Sequence, residues 1–258
     1  MKPRIVAVVN QKGGVGKTTT AVNLGASLAA YERRTLLVDL DPQGNCTAGL
    51  GAELNPQDGT TYEVLTGEKE LVEVVRATEF PHLALAPATP DLAGAEVELV
   101  GMVGREFRFR DAVAGYDDGS FVLVDCPPSL GLLTVNALAA ADALIVPIQC
   151  EYYAMEGVSK LMTTVDEVRR FLNPDLALDG ILLTMYDDRT NLAQQVAGEV
   201  RSVFGELVFD TVVPRNVRLA EAPSFGRPIH AYDLRSKGAQ AYLALAREYL
   251  ARAEAVFG

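Results

Sequence analysis

Short apolar runs, rich in β-branched residues and alternating with helical stretches, limit the fold of this 258-residue chain more than any other feature. Hydrophobicity within each run is continuous rather than alternating, as a strand requires when both of its faces are buried. Such strands, separated by helices, predict the α/β class: a mostly parallel, twisted sheet with helices on both faces. The predicted strands are Ile5–Val9, Thr35–Val38, Leu83–Ala86, Phe121–Val124, Ala143–Val146, Ile181–Leu183 and Val208–Val213. The predicted helices are Thr18–Ala30, Ser129–Ala141, Met155–Leu172, Leu192–Phe204 and Ala239–Phe257.

The chain contains no Pro/Ser/Gly-rich linker, internal repeat or long run of charge that would divide it. We therefore predict a single domain over residues 1–258. Residues 52–80 have the weakest pattern, and we expect them to run over the surface.

Composition narrows the class of protein. The net charge of −11 argues against a protein coated uniformly in basic charge for nucleic acid, although it leaves a local basic patch open. Three cysteines without close spacing indicate neither a disulfide framework nor a zinc motif. The first apolar run is too short for a signal peptide, and no stretch offers eighteen uninterrupted apolar residues. We expect a soluble, cytoplasmic protein.

A glycine-rich loop, NQKGGVGKTTT at residues 10–20, joins the first predicted strand directly to a helix. Phosphate binding needs several backbone N–H groups turned toward one point, with a helix N-terminus behind them. In such a loop Lys17 is expected to reach the β- and γ-phosphates of a nucleotide, and the Thr18 hydroxyl to bind Mg²⁺. The alternative is a glycine-rich turn without a ligand, which does not explain Gly-Lys-Thr directly after a buried strand.

One position departs from the general phosphate-loop pattern. Gln11 stands where that pattern has glycine, and an additional lysine, Lys12, follows it. KGGVGKT at residues 12–18 is the deviant Walker A motif, and it resembles the P-loop NTPases that dimerise face to face around two ATP molecules. The resemblance implies an ATP-dependent homodimer in which Lys12 reaches the partner's phosphates. The loop residues expected to contact ATP are Lys12, Gly13, Gly14, Val15, Gly16, Lys17, Thr18 and Thr19.

Aspartates follow two of the predicted strands. Asp39 and Asp41 end the second strand region and Asp125 ends another, so all three are expected near the phosphates beyond the carboxyl edge of the sheet. The resemblance assigns Asp41 to orienting the water, as a catalytic residue beside Lys12 and Lys17, and Asp125 to a Mg²⁺-bound water in the second shell. The alternative for the Asp39/Asp41 pair is an ordinary polar strand end.

Two neighbours of Asp125 have their own predictions. Ser129 is expected to cap the next helix. Cys126 is expected to be a buried structural cysteine rather than a ligand of an iron–sulfur cluster.

Three further stretches narrow the family: PIQCEYYAMEG at residues 147–157, LTMYDDRTN at 183–191 and VPRNVRLAEAP at 213–223. Together with the loop they resemble the short chromosomal ParA proteins, the Soj group, over residues 3–250. The resemblance implies a slow ATPase, stimulated by a ParB-type DNA-binding partner, that binds double-stranded DNA non-specifically and segregates a chromosome or plasmid at the nucleoid. It also implies that Pro214 and Asn216 contact the adenine, with Met185 as a further candidate.

Two features concern the extent of the resemblance. Plasmid relatives often carry an N-terminal helix-turn-helix extension, and this chain begins immediately before its first strand, so we expect no such extension. Leu234 stands where the family usually has proline, which affects only the expected local turn.

The charge is distributed unevenly along the chain. From Arg189 onward there are nine Lys/Arg and seven Asp/Glu, so the acidic excess lies in residues 1–188. By resemblance Arg189 and Arg218 are the expected DNA contacts; the alternative is that they are ordinary solvated arginines. The candidate basic stripe comprises Arg189, Arg215, Arg218, Arg227, Arg235 and Lys237.

Two other functions remain as alternatives. A MinD-like ATPase on a membrane surface needs a basic amphipathic C-terminal helix, whereas residues 250–257 carry one positive and one negative charge, so we expect no membrane partner. A metabolic P-loop enzyme or ATP-dependent reductase needs a second substrate site or paired cluster cysteines, and the sequence indicates neither.

Overall fold

A seven-stranded sheet organises the protein, with strand order β3-β4-β2-β5-β1-β6-β7. The computed structural model describes residues 2–55, 57–119, 121–152 and 154–257. Tyr153 of the PIQCEYYAMEG stretch therefore lies outside the described residues. The strands are β1 (Arg4–Val8), β2 (Thr35–Asp39), β3 (Arg76–Ala77), β4 (Leu83–Ala86), β5 (Phe121–Asp125), β6 (Ala143–Gln149) and β7 (Ala177–Thr184). All neighbours pair in parallel except the edge strand β3, which is antiparallel to β4. The predicted fold class is confirmed.

Helices cover both faces of the sheet. Because successive side chains of a strand point to opposite faces, Ile5 and Ala7 enter one apolar cluster while Val6 and Val8 enter the other. The helices are α1 (Lys17–Ala30), α2 (Asn45–Gly49), α3 (Thr61–Thr66), α4 (Leu71–Val74), α5 (Leu92–Leu99), α6 (Arg108–Val113), α7 (Leu132–Ala140), α8 (Ala154–Phe171), α9 (Asn191–Phe204), α10 (Val217–Glu221), α11 (Ile229–Tyr232) and α12 (Lys237–Phe257). Helices α1 and α12 cover the face of Val6 and Val8, and α3 and α5 to α9 cover the other.

The predicted strand at Val208–Val213 is wrong. This segment runs beside β7 but makes only isolated parallel bridges, at Val208 and Pro214. Between them the N–H groups of Asp210 and Thr211 donate to the Glu248 carboxylate of α12, at 2.8 and 2.9 Å. Donors engaged by a side chain are lost to a strand ladder, so no continuous pairing forms.

The surface course predicted for residues 52–80 is also wrong. The segment contains α3, α4 and β3, and it buries Leu65 and Leu71 in the core. Helix α3 begins with a capping box, in which the Thr60 N–H donates to Glu63 Oε2 at 2.8 Å. Helices α5 and α6 had not been predicted either, because each is too short to establish a clear period.

Ser129 does not cap the helix that follows it. Helix α7 begins at Leu132, with Gly131 in the N-cap position, and the Ser129 carbonyl accepts a 2.6 Å hydrogen bond from Thr134 Oγ1. The ends of the other predicted helices agree with the structure within a few residues, as frayed helix ends allow.

The C-terminal helix α12 packs onto α1 and the sheet. Tyr242, Leu245 and Tyr249 are buried, and Leu250 lies against the same apolar cluster. Among the described residues, no helix is both long and apolar enough to cross a bilayer.

Candidate nucleotide site

Left-handed glycines shape the loop between β1 and α1. Gly14 and Gly16 have φ values of +73° and +89°, a conformation that other L-residues adopt only at a cost. A Cβ atom at Gly16 would lie 3.8 Å from the Thr184 Cγ2 atom at the end of β7. Glycine is therefore required here by the backbone conformation more than by lack of space.

Two buried polar side chains fix the loop against the neighbouring strands. Asn10 Nδ2 donates to the Pro147 carbonyl of β6 at 2.7 Å, and its Oδ1 accepts the Lys12 N–H at 3.0 Å. From β7, Thr184 Oγ1 donates to the Val15 carbonyl at 2.8 Å. Sequence reasoning assigned no role to Asn10 or Thr184, although both are polar residues at the end of an apolar strand, the signal that identified Asp125.

The loop presents unused backbone donors. Among the described contacts, the N–H groups of Gly13, Gly14, Val15 and Gly16 donate to no other backbone group, and no side chain caps the N-terminus of α1. N–H groups that converge at a helix N-terminus form an anion site because both the donors and the helix dipole favour negative charge. The predicted phosphate cradle therefore has the required backbone.

Lys17 is buried beneath this loop, with 6% of its surface exposed. Its Nζ donates to the Lys12 carbonyl at 3.1 Å. Burial lowers the pKa of Lys17, and the nearby Asp125, Cys126 and Asp41 oppose that shift. Tertiary folding thus brings Lys17, Asp41 and Asp125 together, as the sequence predicted.

Asp125 ends β5 in full burial. Neither of its carboxylate oxygens makes a hydrogen bond of ordinary geometry within the described residues. Burial raises the pKa of Asp125 well above its usual range and Asp39 adds to the rise, whereas the adjacent Thr18 hydroxyl opposes it. A buried carboxylate without a full partner, beside a threonine hydroxyl, fits a hydrated Mg²⁺ ion, which prefers oxygen ligands and retains several waters.

Asp39 and Asp41 differ in their hydrogen-bond partners, although both lie close enough to Asp125 to raise its pKa. Its Oδ2 accepts from the Thr47 backbone N–H at 2.8 Å and from the Thr47 hydroxyl at 2.7 Å, while its Oδ1 accepts the Asp41 N–H at 3.1 Å. Burial raises the pKa of Asp39, and the donors from Thr47 and Asp41 oppose the rise. Strand β2 ends at Asp39, and the two carboxylates accept from different donors. Asp41 Oδ1 accepts the Gln43 N–H at 2.9 Å.

The predicted adenine contacts meet beside the end of β7. Tyr186 donates its N–H to the Val213 carbonyl at 3.1 Å, which places Met185 and Pro214 on adjacent segments. Met185 has a φ of +50°, an unusual conformation for a residue other than glycine and one that is often found at functional sites. Asn216 lies two residues beyond Pro214, at the start of α10.

The side chain of Lys12 has a different environment from that of Lys17. Its Nζ forms a 3.2 Å ion pair with Glu151 Oε2, and 39% of its side chain is exposed. The two lysines of the motif therefore point to different environments: one is buried under the loop and the other is at the surface of the site.

The two arginines predicted to contact DNA are exposed and already paired. The Arg189 side chain is 84% exposed, and its Nη2 lies 2.7 Å from Asp187 Oδ2, which lowers the pKa of that aspartate to about 2. The Arg218 side chain is 54% exposed, and its Nη1 lies 2.8 Å from Glu221 Oε2. Arg215, Arg227, Arg235 and Lys237 are also exposed.

The cysteines are buried and unpaired as disulfides. Burial raises the pKa of Cys126, so its thiol stays protonated. The burial predicted for Cys126 is confirmed. No group of three metal-ligating side chains occurs in the described ranges.

Comparisons of sequence support a common family. A family model described as an AAA domain matches residues 3–178. The chain is 58% identical over 253 residues to the chromosome partitioning protein ParA of Myxococcus xanthus, covering 96% of this chain and 88% of that protein. It is 55% identical over 255 residues to the chromosome-partitioning ATPase Soj of Thermus thermophilus, covering 98% of each.

Solved structures agree with this fold. A Mycobacterium smegmatis protein, titled cobyrinic acid a,c-diamide synthase with bound ATP analog and magnesium, is 42% identical with a TM-score of 0.83, covering 95% of this chain and 93% of that one. The cell division ATPase MinD of Pyrococcus furiosus is 26% identical with a TM-score of 0.80, covering 96% and 98%. ATP and Mg²⁺ are the nucleotide and metal of this site, and the protein is an ATPase. The chain belongs to the ParA/Soj family of chromosome-partitioning ATPases.

Proposed function

We propose that this ATPase is a nucleotide-controlled switch that dimerises with ATP, binds double-stranded DNA without sequence preference and segregates a chromosome or plasmid with a ParB-type partner. It acts in the cytoplasm, at the nucleoid, as a single domain. Hydrolysis is slow until the partner stimulates it.

The separation of the two motif lysines is the observation that carries this proposal. Lys17 is buried under the loop beside Asp125 and Asp41, where it can bind β- and γ-phosphates within its own chain. Lys12 is partly exposed and pairs with Glu151 within the described part of the chain, so it is available to the phosphates of a second copy. A lysine supplied from the partner makes the site complete only in a dimer.

We assign the remaining roles on the same basis. Thr18 would ligate Mg²⁺ and Asp125 would hold one of its waters, while Asp41 would orient the attacking water. The metal, when bound, would offset the charge that develops on the phosphates during transfer. The adenine contacts are Pro214, Asn216 and Met185.

DNA binding is assigned to Arg189 and Arg218. Arg189 follows the carboxyl end of β7, and Arg218 follows the segment that runs beside β7. Both arginines are exposed and form surface ion pairs. Such pairs contribute little stability, so each arginine can exchange its carboxylate partner for a phosphate. Because one chain carries a net charge of −11, two copies of this surface are needed to offset repulsion from the duplex.

The alternatives receive less support. The C-terminal residues Leu250 and Arg252 are engaged with the body of the protein. Leu250 packs against an apolar cluster, and Arg252 donates to the carbonyls of Glu206 and Val208, both at 3.0 Å. That arrangement does not favour an interfacial helix.

Retention of the protein on DNA, measured with no nucleotide, with ADP and with ATP, tests the proposal. We expect strong retention only with ATP, equal on duplexes of unrelated sequence. Lys17→Ala is the matched control, because it removes the phosphate-binding cation and should abolish both nucleotide binding and retention. Equal retention on DNA without nucleotide would contradict the proposal. Retention of the ATP-bound protein on liposomes instead of DNA would contradict it as well.

A further inference from the structure

Thr47, in the middle of α2, is a buried hydrogen-bonding hub with 5% of its surface exposed. Its hydroxyl donates to Asp39 Oδ2 at 2.7 Å and accepts the Ala88 N–H at 2.9 Å. Its own N–H donates to the same Asp39 oxygen at 2.8 Å. One threonine therefore joins α2, the end of β2 and the segment that follows β4.

The hub reaches Asp41 through Asp39. The second oxygen of Asp39 accepts the Asp41 backbone N–H at 3.1 Å. Thr61 also donates to the Asp39 carbonyl at 2.9 Å, so both the side chain and the backbone of Asp39 are fixed. The chain turns away from β2 at this point, and Asp41 depends on these bonds for its place.

We propose that Thr47 and Asp39 are positioning residues for ATP hydrolysis, which act by holding the backbone of Asp41 so that its carboxylate can orient the water. The inference rests on the role proposed for Asp41. Neither residue is assigned to nucleotide or metal. The rate of a reaction depends steeply on the position of the catalytic group: a displacement of about 1 Å can lower the rate by about a hundredfold.

Thr47→Val is the primary test, because valine keeps the shape of threonine and removes only the hydroxyl. The Ala88 N–H and part of the Asp39 carboxylate then lose their partner. We expect kcat to fall by about tenfold or more, with the ATP dissociation constant changed by less than about twofold, since phosphate binding does not involve this hub. Thr47→Ser retains the hydroxyl and should restore the parent kcat.

Thr35→Val is a matched control. Thr35 is also buried and its hydroxyl also makes one strong bond, to the Arg33 carbonyl at 2.9 Å, but it lies at the opposite end of β2. It should leave kcat unchanged at whatever cost in melting temperature. If Thr47→Val does not fold, Asp39→Asn provides the same test, because the amide removes one acceptor at nearly constant size.

A double variant distinguishes this inference from the role of Asp41. Asp41→Ala with Thr47→Val should be no slower than Asp41→Ala alone, because Thr47 acts through Asp41. Parent kcat in Thr47→Val, with a slow Asp41→Ala, overturns the positioning role only. Parent kcat in Asp41→Ala overturns the role of Asp41 and the inference together. Loss of kcat and ATP affinity alike, without rescue by Thr47→Ser, also overturns the positioning role.

Discussion

At the scale of single residues, the two lysines of the loop show how one motif places two positive charges in different environments. Lys17 is buried among acidic side chains, and this burial lowers its pKa. Lys12 keeps 39% of its side chain exposed and pairs with Glu151. A cation that binds a partner's phosphate must remain accessible and must leave its own ion pair easily. The exposed pair of Lys12 and Glu151 meets this condition, because an exposed ion pair contributes at most about 1 kcal/mol.

Lys12→Ala should therefore leave ATP binding nearly intact and prevent the dimer. Light scattering with ATP, together with nucleotide affinity, measures the two effects separately. Lys160→Ala is the control, since Lys160 also forms an exposed ion pair, with Glu156 at 2.8 Å, outside the site. A Lys12→Ala variant that dimerises like the parent would contradict the assignment of Lys12 to the partner's nucleotide.

Asp41→Ala should retain ATP binding and the dimer while hydrolysis nearly stops. The lost group is the one proposed to orient the water, so the protein should remain on DNA with ATP. Phosphate release and DNA retention measure this directly. Hydrolysis at the parent rate would show that Asp41 is not catalytic.

At the scale of elements, α2 connects the region of Asp41 to the segment that carries the arginines. Gly49 of α2 lies near Pro223, and the backbone of Gly51 touches that of Gly226. Both Gly51 and Gly226 have positive φ, at +67° and +62°. Such a backbone-to-backbone approach leaves no room for side chains on either residue.

Gly226→Ala should accordingly destabilise the protein. The added Cβ would lie 2.6 Å from the Gly51 Cα, so the two segments must separate. Gly104→Ala is the control, because Gly104 has a φ of +71° but open space around the position of a Cβ. The control should cost roughly 1–2 kcal/mol from backbone strain alone. Gly226→Ala should cost about 1–3 kcal/mol more from the clash. Equal melting temperatures for the two variants would contradict this account of the contact.

At the scale of the whole molecule, an acidic protein must concentrate its basic charge to hold DNA. The acidic excess lies before Arg189, and the exposed residues of the candidate basic stripe follow β7. The proposed ATP-built dimer would double this surface. Each phosphate contact contributes about −0.9 to the slope of log K against log salt.

Arg218→Glu should flatten that slope and release DNA, while ATP-driven dimerisation persists because Arg218 is assigned to phosphate of DNA only. Retention across a salt series, with a sizing run in ATP, measures both. Arg34→Glu makes the same change of net charge at the opposite edge of the sheet, beside Thr35 where β2 begins, and should have a much smaller effect. DNA binding by Arg218→Glu that equals the parent at every salt concentration would exclude this surface.

The sequence alone established the sheet class, the phosphate loop and the residues gathered at it, because these depend on local patterns. Apolar strands followed by Gly-Lys-Thr or by aspartate mark the carboxyl edge of a parallel sheet, and Lys17, Asp41 and Asp125 do meet there. The capping box at Thr60 and Glu63 is also a local signal, because both residues lie within one turn of the chain.

Only the tertiary structure decided where particular hydrogen-bond donors and acceptors are satisfied. Val208–Val213 has the composition of a strand, yet Glu248 takes two of its N–H groups from a helix 37 and 38 residues away. Asp39 has the same residue type as Asp41, yet its carboxylate accepts both the N–H and the hydroxyl of the buried Thr47. A residue's pattern reports its preference, whereas the pairing of a buried polar group depends on which distant segment packs against it, since burial makes an unpaired donor or acceptor too costly to leave.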